Sequence, residues 1–129
     1  MRLNEGRVEA VAAVSDLARA REFYEQRLGL PPGVDEGGGV RYGAAQGTAL
    51  FIYLSPENAG SSRATVAGWF VDDLDGTVDE LAARGVTFEQ YDQPPIKTDE
   101  RGVFDNGRLR AAWVKDPDGN TIALTEARR

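Results

Sequence analysis

The chain contains no cysteine and no histidine among its 129 residues. Without cysteine there are no disulfides and no thiolate metal sites, and without histidine the commonest metal ligand and general base is missing. These two absences remove much catalytic and metal chemistry from consideration.

Long apolar runs and an excess of positive charge are also missing. No run approaches the roughly 20 apolar residues of a membrane span, and the N-terminal stretch from Met1 to Glu5 lacks the apolar core of a signal peptide. We therefore expect a cytoplasmic protein that does not contact a membrane. The formal net charge of -6 argues against a nucleic-acid partner, which needs a basic face. Solubility explains this charge, and attraction of a cationic ligand is the other explanation.

A strong turn signal, Asp116-Pro117-Asp118-Gly119-Asn120, lies near the end of the chain. The proline presets φ for a turn, the glycine accepts a positive φ, and the Asp and Asn side chains can bond to local backbone groups. The flanking runs 111–114 and 121–124 are apolar or β-branched. Together they predict an antiparallel β-hairpin.

The chain ahead of this hairpin begins with one βαβββ pattern. Residues 8–14 form a strand, Ser15 or Asp16 can cap a helix, and Gly29 is placed to end that helix. The segment 30–39 is a loop or a weak edge strand. Two further strands are predicted at 40–44 and 48–54.

The same pattern restarts after a polar linker at 56–63. The motif Val14-Ser15-Asp16-Leu17 recurs as Val71-Asp72-Asp73-Leu74, at an offset of 57 residues (71 − 14). A strand at 65–71 precedes a helix capped by Asp72 or Asp73 and ended by Gly85, and another strand starts at Val86 to Phe88. We predict one α+β domain over residues 1–129, with module one at about 7–55 and module two at about 64–127.

The long polar segment from Gln90 to Gly107 has two interpretations. It is longer than most connections, so it is either a lid over a binding site or a loose hairpin loop. The residue pattern does not decide between them.

Two βαβββ modules, the Val-x-Asp-Leu entry to each helix and the closing Asp-Pro-Asp-Gly-Asn hairpin together resemble the vicinal oxygen chelate superfamily. This superfamily includes glyoxalase I, extradiol dioxygenases and bleomycin-resistance proteins. The resemblance extends from about Arg7 to Glu126. It implies that the modules pair into an open, cup-like half-barrel, with helices outside and a ligand cavity inside, and that the protein is a homodimer.

The resemblance also locates the family's metal-ligand positions on this chain. They fall on Glu9, Val66 and Ala123, with a fourth near Phe51 or Tyr53. Only Glu9 is a good metal ligand, and a divalent cation normally requires several oxygen or nitrogen ligands from the protein. We therefore expect no metal and no other cofactor.

Strand alternation combined with this fold predicts the lining of the cavity. The residues expected to face it, and to bind a ligand, are Glu9, Val11, Phe51, Tyr53, Val66, Phe70 and Ala123. An apolar and aromatic lining with one acid suits a small organic molecule. The alternative is that these aromatic residues are ordinary core.

Glu9 is the candidate catalytic residue, and it too has two interpretations. If it is buried among apolar neighbours, it could act as a general acid or base, or pair with a cationic ligand. Alternatively it forms a structural ion pair with an arginine such as Arg41 or Arg110. Of the tryptophans, Trp69 is predicted to be core beneath a helix, whereas the side on which Trp113 lies is left open.

Three functions follow from these expectations. The first is a metal-independent binding protein that sequesters a small organic ligand in the cup. The second is an enzyme, a lyase, isomerase or dioxygenase, that uses Glu9 or an atypical metal site. The third is an interaction module whose cavity is filled by its own side chains.

Overall fold

The computed structural model describes residues 1–127. Its helices are α1 (Leu17–Arg21), continued by a π-helix (Glu22–Arg27), and α2 (Leu74–Ala83). Its strands are β1 (Ala10–Val14), β2 (Val34–Asp35), β3 (Gly39–Gly43), β4 (Ala49–Leu54), β5 (Thr65–Phe70), β6 (Asp92–Gln93), β7 (Ile96–Lys97), β8 (Phe104–Asp105), β9 (Leu109–Lys115) and β10 (Thr121–Ala127). No helix in this range is long and apolar enough to cross a membrane.

The two halves of the chain build equivalent four-stranded sheets. The strand order is β1-β4-β3-β2 in the first sheet and β5-β10-β9-β8 in the second. In each sheet the first and last strands of the module pair in parallel, and the remaining pairs are antiparallel. Strand β1 lies against β5. The predicted α+β fold is confirmed: two βαβββ modules form a cup-like half-barrel with the helices outside.

Both helices begin as the repeat predicts, and the predicted glycines follow them in the left-handed conformation, Gly29 with a φ of 79° and Gly85 with a φ of 88°. Asp16 caps α1 by accepting from the Arg19 amide, and Asp73 caps α2 by accepting from the Gly76 amide. Each cap satisfies a backbone N–H of the first turn that has no partner within the helix. The first helix differs from a regular one, because after Arg21 it widens into a π-helix, with a bond from the Leu28 amide to the Phe23 carbonyl.

The hydrophobic core lies between the sheets and the helices. Alternate residues of β1 and β4 point into it, so that Ala12, Val14, Leu50 and Ile52 are buried. One core cluster contains residues from both modules and includes Leu74, Val78 and Leu81 of α2 along one helical face. The residues between them on the strands face the open side of the sheets.

The β9–β10 turn connects the two modules. The Asn120 side-chain amide donates to the Ala13 carbonyl at 2.8 Å, and the Ser15 backbone and hydroxyl both donate to the Asp118 carboxylate. The Tyr24 hydroxyl donates to the Asp116 carboxylate at 2.8 Å. The predicted hairpin is therefore present, and its turn contacts both the end of β1 and the first helix.

The segment after α2 differs in part from expectation. The strand predicted at Val86 to Phe88 is wrong, because within the described chain this stretch makes only one β-bridge, between Phe88 and Val114. The Glu89 amide donates to the Trp113 carbonyl, after which the chain leaves the sheet. Residues 90–107 then form the short β6–β7 hairpin and the edge strand β8.

Candidate functional site

The open face of the first sheet carries a charged and aromatic cluster. In register across the sheet, Val11 of β1 pairs with Phe51 of β4, which pairs with Arg41 of β3. The Arg41 guanidinium lies 5.3 Å from the centre of the Phe51 ring, and the rings of Phe51 and Tyr53 are stacked with centroids 6.4 Å apart. This face is open, since Val11 is 54% exposed.

Glu9 belongs to this cluster as an ion-pair partner. Its carboxylate accepts from the Arg41 guanidinium, and its side chain is 18% exposed. Arg41 also donates through Nε to both oxygens of Glu36, at 2.9 and 3.0 Å. Hydrogen bonds to Glu9 and then Glu36 raise the pKa of Arg41, so its charge is retained.

The structure thus places Glu9 beside Arg41 rather than Arg110, the other arginine considered. Arg110 makes a two-pronged contact with Asp75, at 2.7 and 2.9 Å. This geometry supports the ion-pair interpretation of Glu9. In this ion pair the Glu9 carboxylate is occupied by Arg41 rather than presented to a ligand.

The open face of the second sheet holds a pocket of about 310 Å³. We call it the Trp113 pocket. Its walls come from the second sheet, from the segment containing the β6–β7 hairpin, and from the loop before β5. The lining residues are Thr65, Trp113 and Thr121 of the sheet, Tyr91, Gln93 and Ile96 of that segment, and Arg63 of the loop.

Aromatic packing fixes Trp113 in this pocket. The Tyr91 ring meets it edge-on, with centroids 5.5 Å apart and planes at 72°, and Phe104 lies 6.2 Å away on β8. Burial, followed by the nearby charge of Glu89, raises the pKa of Tyr91, so its hydroxyl stays protonated. The pocket therefore presents aromatic surface together with neutral polar groups and one cation, Arg63.

Several polar side chains of the pocket have no partner in the described part of the chain. Within residues 1–127, the side chains of Arg63, Thr65, Gln93 and Thr121 make no hydrogen bond or ion pair. In ligand-binding sites, polar groups placed around a concave aromatic surface orient the small molecule.

The structure separates the residues predicted to line the cavity into several groups. Glu9, Val11, Phe51 and Tyr53 lie together on the first sheet. Ala123 lies on the second sheet, in register with Trp113.

Val66 and Phe70 lie elsewhere. Val66 is next to the irregularity in the β5–β10 register and packs against the buried core. Phe70 is 81% exposed at the far end of β5, where it lines a second cavity of about 370 Å³ with Val71, Asp72, Glu126 and Ala127.

Sequence reasoning missed most of the Trp113 pocket. Strand alternation puts Thr121 and Ala123 of β10 on one side, but the apolar run around Trp113 gives no alternation that would place the indole beside them. Nothing local to Arg63, Tyr91, Gln93 or Ile96 indicated that these loop and hairpin residues converge there.

The side chains at the family's metal positions do not fit a metal ion. Val66 and Ala123 have no side-chain donor atoms, and Glu9 is engaged by Arg41. Among residues 1–127 there is no group of three His, Cys, Asp or Glu side chains that could hold a metal.

Comparison with known proteins gives a consistent picture. The sequence profile of the Glyoxalase/Bleomycin resistance protein/Dioxygenase superfamily matches residues 7–124. A search of curated proteins finds no match.

Solved structures of the same architecture cover almost the whole chain. A glyoxalase/bleomycin resistance protein from Catenulispora acidiphila is 26% identical, with a TM-score of 0.67 over 94% of this chain and 97% of that one. A glyoxalase family protein from Bacillus anthracis is 19% identical, with a TM-score of 0.71 over 95% of each chain. An antibiotic binding protein from a Streptomyces species is 23% identical, with a TM-score of 0.63 over 93% of each chain.

Proposed function

This chain belongs to the Glyoxalase/Bleomycin resistance protein/Dioxygenase superfamily, and on that premise we propose that it is a metal-independent protein that binds and sequesters a small organic molecule. The observation that carries the proposal is the Trp113 pocket. It combines an aromatic wall with polar side chains that have no partner within residues 1–127. A bound molecule would supply those partners and cover the exposed aromatic surface.

Metal independence is supported by the side chains at the family's metal positions. Only Glu9 among them carries a strong ligand atom, and it forms an ion pair with Arg41. The Streptomyces protein of the same fold is an antibiotic binding protein, which is compatible with a binding role for this architecture.

A homodimer is part of the proposal. Several apolar side chains on and around the strands are exposed, including Val11, Leu54 and Phe70. A second copy would cover such surface and deepen the open faces.

A thermal-shift screen against a library of small organic molecules, with and without EDTA, tests the function. We expect at least one compound to raise the melting temperature equally in both conditions, since binding to the native state alone stabilises it. Calorimetry would then give its affinity and stoichiometry.

Two results would contradict the proposal. One is a stabilising compound whose effect needs Zn, Ni, Mn or Fe found in near-stoichiometric amount after dialysis. The other is turnover of a bound compound that is abolished by Glu9→Gln, which would establish the enzymatic alternative.

A further inference from the structure

We propose that the Trp113 pocket takes a flat aromatic molecule carrying a carboxylate or similar anionic group, with its ring against Trp113 and its anion at Arg63. This inference rests on the proposed binding function and narrows it to one class of ligand. It depends on the pocket's charge, its shape and the donors that it offers.

The charge of the lining comes from one residue. Arg63 is the sole ionisable group other than the Tyr91 hydroxyl among the lining side chains, and it has no acceptor within residues 1–127. Several other arginines of the described chain are held by carboxylates, as Arg41 is by Glu9 and Glu36. A free guanidinium beside an aromatic wall presents five N–H donors and no acceptor, in a geometry that fits a carboxylate.

The surroundings reinforce this preference. At the end of β9, Lys115 pairs in register with Thr121 of the pocket, and its charge is matched by Glu89 at 3.5 Å. A cationic ligand would be repelled by Arg63, and the lining contains no carboxylate that would compensate for this repulsion. The net charge of -6 does not reverse this, because exposed charges beyond roughly 8 Å are largely screened at physiological salt.

The shape of the sheet beside Trp113 favours a flat molecule. Across β9, β10 and β5 the residues in register are Trp113, Ala123 and Gly68. Ala123 and Gly68 lie beside the lining residues rather than among them, and with little or no side chain they leave the sheet flat next to the indole. The Trp113 indole N–H is another donor without acceptor properties. At about 310 Å³ the pocket is at the small end of the usual range for ligand sites, roughly 300 to 1,000 Å³, so it suits a compound of two fused rings.

Three probes that share one ring system test the inference. Naphthoate, naphthamide and naphthylmethylammonium differ in charge while keeping the flat ring, and calorimetry gives the affinity of each for the wild-type protein. We expect naphthoate to bind about tenfold more tightly than naphthamide, the size expected for a charge-assisted hydrogen bond, and the ammonium compound to bind most weakly. Binding of naphthoate should also quench tryptophan emission, and Trp113→Phe should remove that quenching.

Arg63→Gln and Arg108→Gln form a matched pair of variants. Both lose one positive charge from an exposed arginine, but Arg108 lies outside the pocket, in the turn before β9. We expect Arg63→Gln to lower naphthoate affinity about tenfold, with little change for naphthamide, and Arg108→Gln to leave both affinities within about twofold of wild type.

Equal binding of the three probes, preference for the ammonium compound, or equal effects of the two arginine substitutions would overturn the anionic class while leaving a binding function intact. Failure of all three probes to bind at millimolar concentration would overturn the class as well. The binding function itself is judged separately by the library screen, so the two failures are distinguishable.

Discussion

Tyr24 is fully buried, and its hydroxyl points at a buried carboxylate. Asp116 is 5% exposed and accepts from the Tyr24 hydroxyl, from the Asn120 side chain, and from the backbone amides of Asp118 and Asn120. Burial and then the charge of Asp116 raise the pKa of Tyr24 far above its usual value, so the hydroxyl remains a donor. Four donors offset the cost of burying the Asp116 charge.

Removing one of those donors should cause a measurable loss of stability. We expect Tyr24→Phe to lower the free energy of unfolding by about 1 to 2 kcal/mol, since a hydrogen bond to a buried charge is lost while the ring remains. Urea denaturation measures the change. Tyr53→Phe is the control, because the Tyr53 hydroxyl on the open face has no partner within residues 1–127, and equal losses in both variants would refute the role of Tyr24.

The Glu25 carboxylate should make the free energy of unfolding depend on pH. Its burial acts to raise its pKa, but hydrogen bonds from the Tyr42 hydroxyl, the Gly33 amide and Arg21 outweigh that effect and lower the pKa below the ordinary 4.5. The unfolded chain therefore takes up this proton first as the pH falls. The stabilisation from Glu25 is fully present above about pH 4.5 and is lost as the pH falls through the lower, folded-state pKa.

We expect the wild-type free energy of unfolding to fall more steeply below pH 4.5 than that of Glu25→Gln. Denaturation curves at intervals from pH 6 to pH 3 would show it. Parallel pH profiles would mean that Glu25 titrates alike in the folded and unfolded chains.

At the scale of the elements, the β9–β10 turn depends on one backbone conformation. Gly119 has a φ of 93° and open space where a Cβ would lie, so only the backbone opposes a side chain there. We expect Gly119→Ala to cost about 1 kcal/mol, since residues other than glycine are strained at positive φ.

Gly43 provides the matched control. A methyl group at this position would also meet open space, but Gly43 lies at the end of β3 without a positive φ. Gly43→Ala should be neutral or stabilising by a few tenths of a kcal/mol up to about 1 kcal/mol. Thermal melts of both variants measure these changes in stability. An unchanged melting temperature for Gly119→Ala would contradict the strain argument.

Elements with a local signal were predictable from the sequence. The two helix starts, each with its cap narrowed to two adjacent residues, the closing turn and the repeated module follow from short-range chemistry and alternation. The side on which Trp113 lies was not, because the neighbouring Ala111, Ala112 and Val114 are all apolar and give no alternation to read.

The remaining differences between the sequence predictions and the structure come from contacts between residues that are distant in sequence. The register irregularity next to Val66 depends on how β10 docks along β5, and the β6–β7 hairpin supplies pocket residues only because it folds against β9. The ion pair of Glu9 with Arg41 joins residues 32 positions apart. Sequence spacing offered Arg41 as one of two partners and could not choose between them.

At the scale of the whole molecule, exposed apolar surface predicts assembly. Phe70 at the end of β5 is 81% exposed, and Val11 lies open on β1. We expect light scattering at micromolar concentration to give about twice the chain mass of 14.0 kDa, and Phe70→Glu to shift the protein toward monomer. Leu3→Glu, an exposed apolar position outside the sheets, is the control, and a monomeric wild-type protein would contradict the prediction.

The bonds between the closing turn and the first module also have a consequence for synthesis on the ribosome. The Ala13 carbonyl and the Ser15 amide find their native partners, Asn120 and Asp118, more than a hundred residues later in the chain. Until those residues are synthesised, the Ala13 carbonyl and the Ser15 amide bond to water. The Asp116 carboxylate, which accepts from the Tyr24 hydroxyl, does not yet exist at that stage either. The first module is therefore completed only after the β9–β10 turn has emerged, so its final ordering waits for the second module even though the first is made earlier.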